Sequence, residues 1–211
     1  MAKAEPPVVS FPSREAWWAW LSEHHSDPAG VWLRLERKRA GSAPLTHPEA
    51  LEAAIAHGWI DGTRRRLDER HYVQRFTPRR VRSKWSRINR EKAVDLIERG
   101  EMTPAGLAEV ERARTDGRWD AAYAGQRTME VPDDLRSELE RDPAAAAFFA
   151  GLDSRNRYSI LYRIDDAKRP ETRARRIEKF VAMLAAGETL YPATPGRAGR
   201  SGRTPRASGT P

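Results

Sequence analysis

The chain contains no cysteine. Disulfides, thiolate zinc sites, iron–sulfur clusters and a cysteine nucleophile are therefore excluded. No run approaches 18 consecutive apolar residues, so no segment is expected to cross a membrane as a helix. Met1 to Ser13 carry one lysine and lack the apolar stretch of a signal peptide, which leads us to expect a cytoplasmic protein. Histidine is sparse. Its five occurrences, at 24, 25, 47, 57 and 71, never take the His-x-x-x-His or His-Glu-x-x-His spacing that sets two ligands on one helix face. There is no Gly-x-Ser-x-Gly elbow and no Walker-type loop. We assign no catalytic residue, no metal ligand and no cofactor, and a binding protein fits this inventory better than an enzyme.

What is present is a chain of 211 residues, long enough to bury a real core as one domain or two small lobes. Its apolar share of 39% and its 7 tryptophans are those of a globular protein, despite a charged share of 32%. The net charge of +8 is local. Residues 64–92 hold twelve Lys/Arg against Asp68, Glu69 and Glu91, and the stretch after Pro192 adds Arg197, Arg200, Arg203 and Arg206. The remainder is net acidic. Residues 193–211 contain only Gly, Pro, Ser, Thr, Ala and Arg. Such a segment cannot bury enough apolar surface to offset its ordering entropy and is expected to be disordered. It reads as a solubilising extension or as a weak polyanion-binding arm.

Periodicity gives the elements. Ser13 caps a first helix with Trp17, Trp20 and Leu21 on one face. Val31 to Lys38 alternates as a strand, Val31, Leu33 and Leu35 against Trp32, Arg34 and Glu36. Thr46 and Glu49 have capping-box spacing ahead of an Ala-rich helix that ends near Gly58. Ile60 to Phe76 reads as a hairpin turning at Asp68-Glu69 and closed by Pro78. Ser83 or Ser86 caps the next helix, with Ile88, Ala93, Leu96 and Ile97 inward and Gly100 after its end. Thr103-Pro104 starts another, with Leu107, Val110 and Ala113 inward. Residues 118–131 show no pattern. Four helices follow, over Pro132–Arg141 and Pro143–Leu152, then from Ser154 and from Pro170 to Gly187. The expected class is α+β: a small antiparallel sheet with helices, followed by a helical C-terminal lobe. The expected organisation is an α+β region over 10–128 with a basic hairpin, a helical lobe over 129–192, and the tail over 193–211.

Several blocks carry a family resemblance. They are Gly58-Trp59-Ile60-Asp61-Gly62, Gln74-Arg75-Phe76-Thr77-Pro78-Arg79-Arg80, Ser83-Lys84-Trp85-Ser86-Arg87-Ile88-Asn89 and Gly100-Glu101-Met102-Thr103-Pro104-Ala105-Gly106. Gly117-Arg118-Trp119-Asp120 and Ala167-Lys168-Arg169-Pro170-Glu171-Thr172-Arg173 follow, the last trailed by Arg176-Ile177. In this order the chain resembles the YdeI/OmpD-associated, or bacteriocin-protection, family over about residues 10–190. The resemblance implies a small bacterial protein linked to tolerance of cationic antimicrobial peptides or bacteriocins. It implies no reaction, cofactor or catalytic residue.

The central segment holds the candidate site. The hairpin returns the chain toward Asp61, so that Trp59 and Trp85 can floor a pocket rimmed by Arg75, Arg79 and Arg80, with Ser83 and Asn89 nearby and Asp61 orienting one guanidinium. Guanidinium forks match phosphate and carboxylate oxygens in pairs. The opposing reading is structural: both tryptophans in the core, and Asp61 pairing with an arginine to hold the hairpin. The expected partner is an anionic small molecule or a polyanion. Nucleic acid is the alternative, because basic side chains interleave with Tyr72, Phe76 and Trp85. An enzyme acting on an anionic small molecule, with Asp61 as base, is a further alternative. His57 reads as a helix-end cation favoured by the dipole. The arginines at 169, 173, 175 and 176 read as a solvated face, and Asp165-Asp166 as partners for Arg169 or Arg173. A cationic peptide should be repelled by the basic face, so any role in peptide tolerance is expected to be indirect.

Overall fold

A computed structural model describes residues 5–37, 44–126 and 128–192. The expected tail and Lys38, the last residue of the expected strand, fall outside these residues. The chain divides into two compact units, 1–125 and 126–211.

The N-terminal unit is built on a four-stranded sheet. Its strands are β1 (Val8–Val9), β2 (Val31–Glu36), β3 (Trp59–Arg66) and β4 (His71–Pro78), in the spatial order β1-β2-β4-β3. β2, β4 and β3 are antiparallel neighbours, as the alternation predicts. β1 adds a two-residue parallel edge, so the sheet is mixed. A two-residue strand has no period to read, which is why the sequence does not announce it. β3 carries one extra residue between Asp61 and Arg64. Gln74 meets this bulge from β4: its amide donates to Gly62 O at 2.7 Å and its carbonyl accepts from Arg64 Nε at 3.2 Å. That bonding allows a buried glutamine on the inner face beside Tyr72 and Phe76.

The inner face packs on α1 (Arg14–His24), α2 (His47–Ala56), α3 (Arg87–Glu98) and α4 (Pro104–Thr115). α2 is the hub. The capping box at Thr46/Glu49 forms as expected. Six of its ten residues are buried, four of them alanines, so three helices approach its backbone closely. Its last carbonyl, on Ala56, accepts from both Thr103 N (3.1 Å) and Thr103 Oγ1 (2.7 Å), the N-cap of α4. Gly106, one turn into α4, lies so close that a Cβ there would stand 2.2 Å from the same oxygen.

Some expectations shift. Ser86, not Ser83, caps α3. Ile88 and Leu107, expected inward, are about half exposed, at 50% and 43%. In each helix the buried stripe, through Asn89, Ala93 and Leu96 or through Gly106, Val110 and Ala113, runs along the neighbouring face. The unassigned stretch holds Trp119, which packs at 5.0 Å on Trp85, and Tyr123, which bridges in parallel to Ser86. His57 is 3% exposed. Its Nδ1 lies 2.8 Å from Ala53 O, which can only accept, so Nδ1 carries the proton and Nε2 faces Ser22 Oγ at 3.1 Å. Burial lowers its pKa and outweighs the helix-end effect expected from the sequence.

The C-terminal unit is all helical: α5 (Asp133–Arg141), α6 (Pro143–Ala150), α7 (Ser154–Asp165) and α8 (Pro170–Ala185). Its own core gathers Leu135, Phe149, Ile160, Ile164, Phe180 and Leu184, with others. Asp142 ends α5 and caps α6, accepting from Ala145 N at 3.0 Å. Asp153 caps α7, which starts at Ser154 as expected. The buried Asn156 exchanges two hydrogen bonds with the Tyr191 backbone, at 3.0 and 3.2 Å, and pins the chain after α8 onto α7. Arg173 is taken by Asp134 rather than by Asp165 or Asp166.

Two predictions follow from the packing of α2. Gly106→Ala forces a Cβ against a backbone oxygen and should cost about 3 kcal/mol or more. Gly100→Ala, at φ +70 with open space around it, should cost only the left-handed backbone strain, about 1–2 kcal/mol. Urea denaturation compares them, and equal losses would contradict the close approach. For His57 the folded pKa lies below the ordinary 6.5. The stability it supports is present above 6.5 and is lost as pH falls through the folded value. His57→Gln should flatten that limb of the stability–pH curve, and an unchanged slope would remove His57 as its source.

Candidate anion site

Arg79 follows β4, and its backbone N–H donates to Gly58 O at 2.9 Å. The hairpin thus brings the chain back to the α2–β3 junction. Gly58 holds φ +76 there, and a Cβ on it would meet Ala105 O and Glu109 Cγ of α4 at 3.0 Å. A glycine is required both by its dihedral and by the space. The Arg79 guanidinium lies over the Trp85 ring, 3.5 Å from its centroid, and donates from Nη1 to Lys84 O at 3.2 Å. The residue is 5% exposed. Its Nε and Nη2, and Trp85 Nε1, are buried without a hydrogen-bond partner.

The surroundings are cationic. Burial pulls Arg79 down to about 10, opposed chiefly by Glu109, while Arg118 pushes it further down. Arg79 therefore remains a cation at neutral pH. Burial raises the Glu109 carboxyl, and the neighbouring Arg112, which donates to it, and Arg79 oppose that rise. Arg112 Nε is also buried without a partner. Arg118 grips Asp116 and reaches Ser83 O at 2.6 Å. Each carboxylate in the cluster is held by another arginine, so Arg79 has charge nearby but no carboxylate on its own free N–H groups.

The structure separates the other expected residues. Trp59 sits in an aromatic core with Trp17 and Trp20 and donates to His25 O at 2.7 Å. Asp61 pairs with His47 Nε2 at 3.1 Å, not with an arginine of the hairpin. Arg75 spends its guanidinium on three backbone carbonyls, of Ala29, Val31 and Phe76, and so locks the Gly30 turn to the sheet. Arg80 is exposed, and its backbone N–H donates to Ser83 Oγ at 2.9 Å, closing a turn. Asn89 is buried in the first turn of α3. Arg79, Trp85 and Ser83 come together; Asp61 is near enough to favour the Arg79 charge but pairs with His47, and the polar groups of Trp59 and Arg75 are spent on backbone carbonyls. Sequence reasoning missed Glu109, Arg112 and Arg118 as members of this cluster. The Gly117-Arg118-Trp119 block was visible, but nothing in its spacing says that it folds back onto Ser83 and Trp85. Tyr72, Phe76 and Trp85 are all buried, so none offers an open ring face to a base. Among the described residues no group of three His, Asp or Glu could hold a metal ion, and no helix is long and apolar enough to cross a membrane.

Comparison with known families divides the chain in the same place as its fold. Residues 128–187 match the family model described as Bacteriocin-protection, YdeI or OmpD-Associated. This is the family named for the resemblance, but the match falls on the C-terminal helices alone and not on the expected residues 10–190. Residues 9–109 match a separate model, a domain of unknown function, DUF8412. The blocks between Gly58 and Gly106 lie within that second match, and Ala167 to Arg173 within the first. No curated protein and no solved structure matches the chain.

A buried cation with unmet donors costs stability, and an apolar replacement of similar length often restores it. Arg79→Met is expected to leave the melting temperature unchanged or raise it, with a gain of up to about 4 kcal/mol. A fall of several degrees in calorimetry would instead make Arg79 a structural strut.

Proposed function

We propose that the chain is a non-enzymatic stress-tolerance protein of the YdeI/OmpD-associated type, and that its N-terminal unit binds a small anionic ligand at Arg79. One observation carries the reading. Arg79 is a charged, buried guanidinium whose Nε–H and Nη2–H find no acceptor, beside a tryptophan N–H in the same condition. Buried donors of this kind are rare and call for an oxygen-bearing partner. Two N–H groups of one guanidinium fork suit two oxygens of a carboxylate or phosphate. Arg118 supplies further positive potential. The adjoining Arg80–Ser83 turn leaves Arg80, Val81 and Arg82 exposed. The nucleic-acid reading loses its stacking platform to burial and retains only charge. The reading with Asp61 as a base has Asp61 already paired with His47.

The test is a thermal-shift panel of phosphate, pyrophosphate, citrate and dicarboxylates at fixed ionic strength. A ligand at one hundred times its dissociation constant should stabilise by about 2.7 kcal/mol. That shift should vanish in Arg79→Met while the variant stays folded. If no anion raises the melting temperature, or if the shift survives in Arg79→Met, the site is not at Arg79.

A further inference from the structure

A groove of about 820 Å³ runs along α5 and α8 in the C-terminal unit. Its two walls differ in chemistry. One carries Asp134, Glu138 and Asp142, each about one turn further along α5 and its C-cap. The other is the stripe of α8 that presents Ala174, Val181 and Ala182 over the buried Ile177, with Glu178 beside it. Four carboxylates therefore line the groove against two guanidiniums, those of Arg173 and Arg175. Arg173 is already committed: it holds Asp134 through Nε and Nη2 and donates to Ile164 O at 3.0 Å. Among the described residues Glu138 pairs with Arg141 alone, in an exposed pair of little energetic weight. Asp142 has one oxygen on a helix cap. Glu178 makes no ion pair among the described residues. In a chain of net charge +8, this surface is locally negative.

We propose that this groove docks a basic amphipathic helix from another polypeptide. Its apolar face would lie on Ala174, Val181 and Ala182, over the buried Ile177, and its lysines or arginines would meet Glu138, Asp142 and Glu178. The spacing supports the fit. Acids four residues apart on α5 rise by about 6 Å per step, the spacing of residues one turn apart on a facing helix. The arrangement is that of a helix-in-groove site, in which apolar anchors give affinity and flanking charge gives register. The acidic wall disfavours nucleic acid and anionic lipid, whose phosphates it would repel. The lining residues, 134 to 182, fall within the stretch that matches the bacteriocin-protection model. The repulsion expected of a cationic partner concerns residues 64–92 and does not extend to this groove.

The test uses the full chain and a fluorescein-labelled 18-residue peptide of leucine and lysine with a 3.6-residue period, read by anisotropy at physiological salt. A serine/lysine peptide of equal charge and a leucine/glutamate peptide of equal apolar face serve as comparisons. The leucine/lysine peptide should bind at least ten-fold more tightly than either. Glu138→Lys with Glu178→Lys should weaken it ten-fold or more. Glu138→Gln with Glu178→Gln, which cannot perturb the fold by new charge, should produce part of that loss. Equal binding of the serine/lysine peptide would reduce the groove to a diffuse acidic patch and overturn the proposal. Unchanged affinity in both double variants would place the peptide elsewhere and overturn it as well.

Discussion

The carbonyl of Ala56 is the point on which the N-terminal unit turns. It ends α2, the most buried helix, and receives both hydrogen bonds that Thr103 can offer at the start of α4. The orphan acceptor of one helix thereby satisfies the N-cap of another. Because Gly106 lets the two backbones close up, α4 is held at a fixed distance and angle. Glu109 then packs over Gly58, and Gly58 in turn accepts from Arg79 N. The position of the buried guanidinium is thus a consequence, three contacts removed, of how two helix ends meet.

The two units carry opposite electrostatic problems. In the first, lysines and arginines together outnumber the carboxylates. Several donate to backbone oxygen: Arg75 to three carbonyls, Arg118 to Ser83, Arg90 to Trp119. Arg79 solves it least well, with one such bond and a tryptophan face. In the second unit the imbalance in the groove is of carboxylates, and of the two arginines that line it Arg173 is consumed by Asp134. A net charge summed over the chain conceals this difference.

The sequence was most legible where a local rule sufficed. Capping at Thr46, Ser86 and Thr103, the alternation in β2 and β4, and the glycine ends of the helices are nearest-neighbour effects, and each forms. The α+β class and the helical C-terminal part follow from them. The candidate site was legible only in part. Arg79 and Trp85 are six residues apart, and the turn between them brings one over the other. Trp59 and Arg75 looked equally suited by residue type. Only the packing of α1 on the sheet, and the left-handed Gly30 turn, decide that their polar atoms are spent on backbone. Glu109, Arg112 and Arg118 lie beyond any local rule, since their approach depends on the α2–α4 contact.

All seven tryptophans, at positions 17, 18, 20, 32, 59, 85 and 119, fall in the first unit, whereas the second has only tyrosines at 158, 162 and 191. The molecule is therefore optically partitioned. Emission excited near the red edge of the indole band belongs to residues 1–125 alone. Far-ultraviolet circular dichroism weighs the helices of both units. The two signals part company whenever one unit melts without the other, so the chain carries its own means of showing whether its halves unfold together.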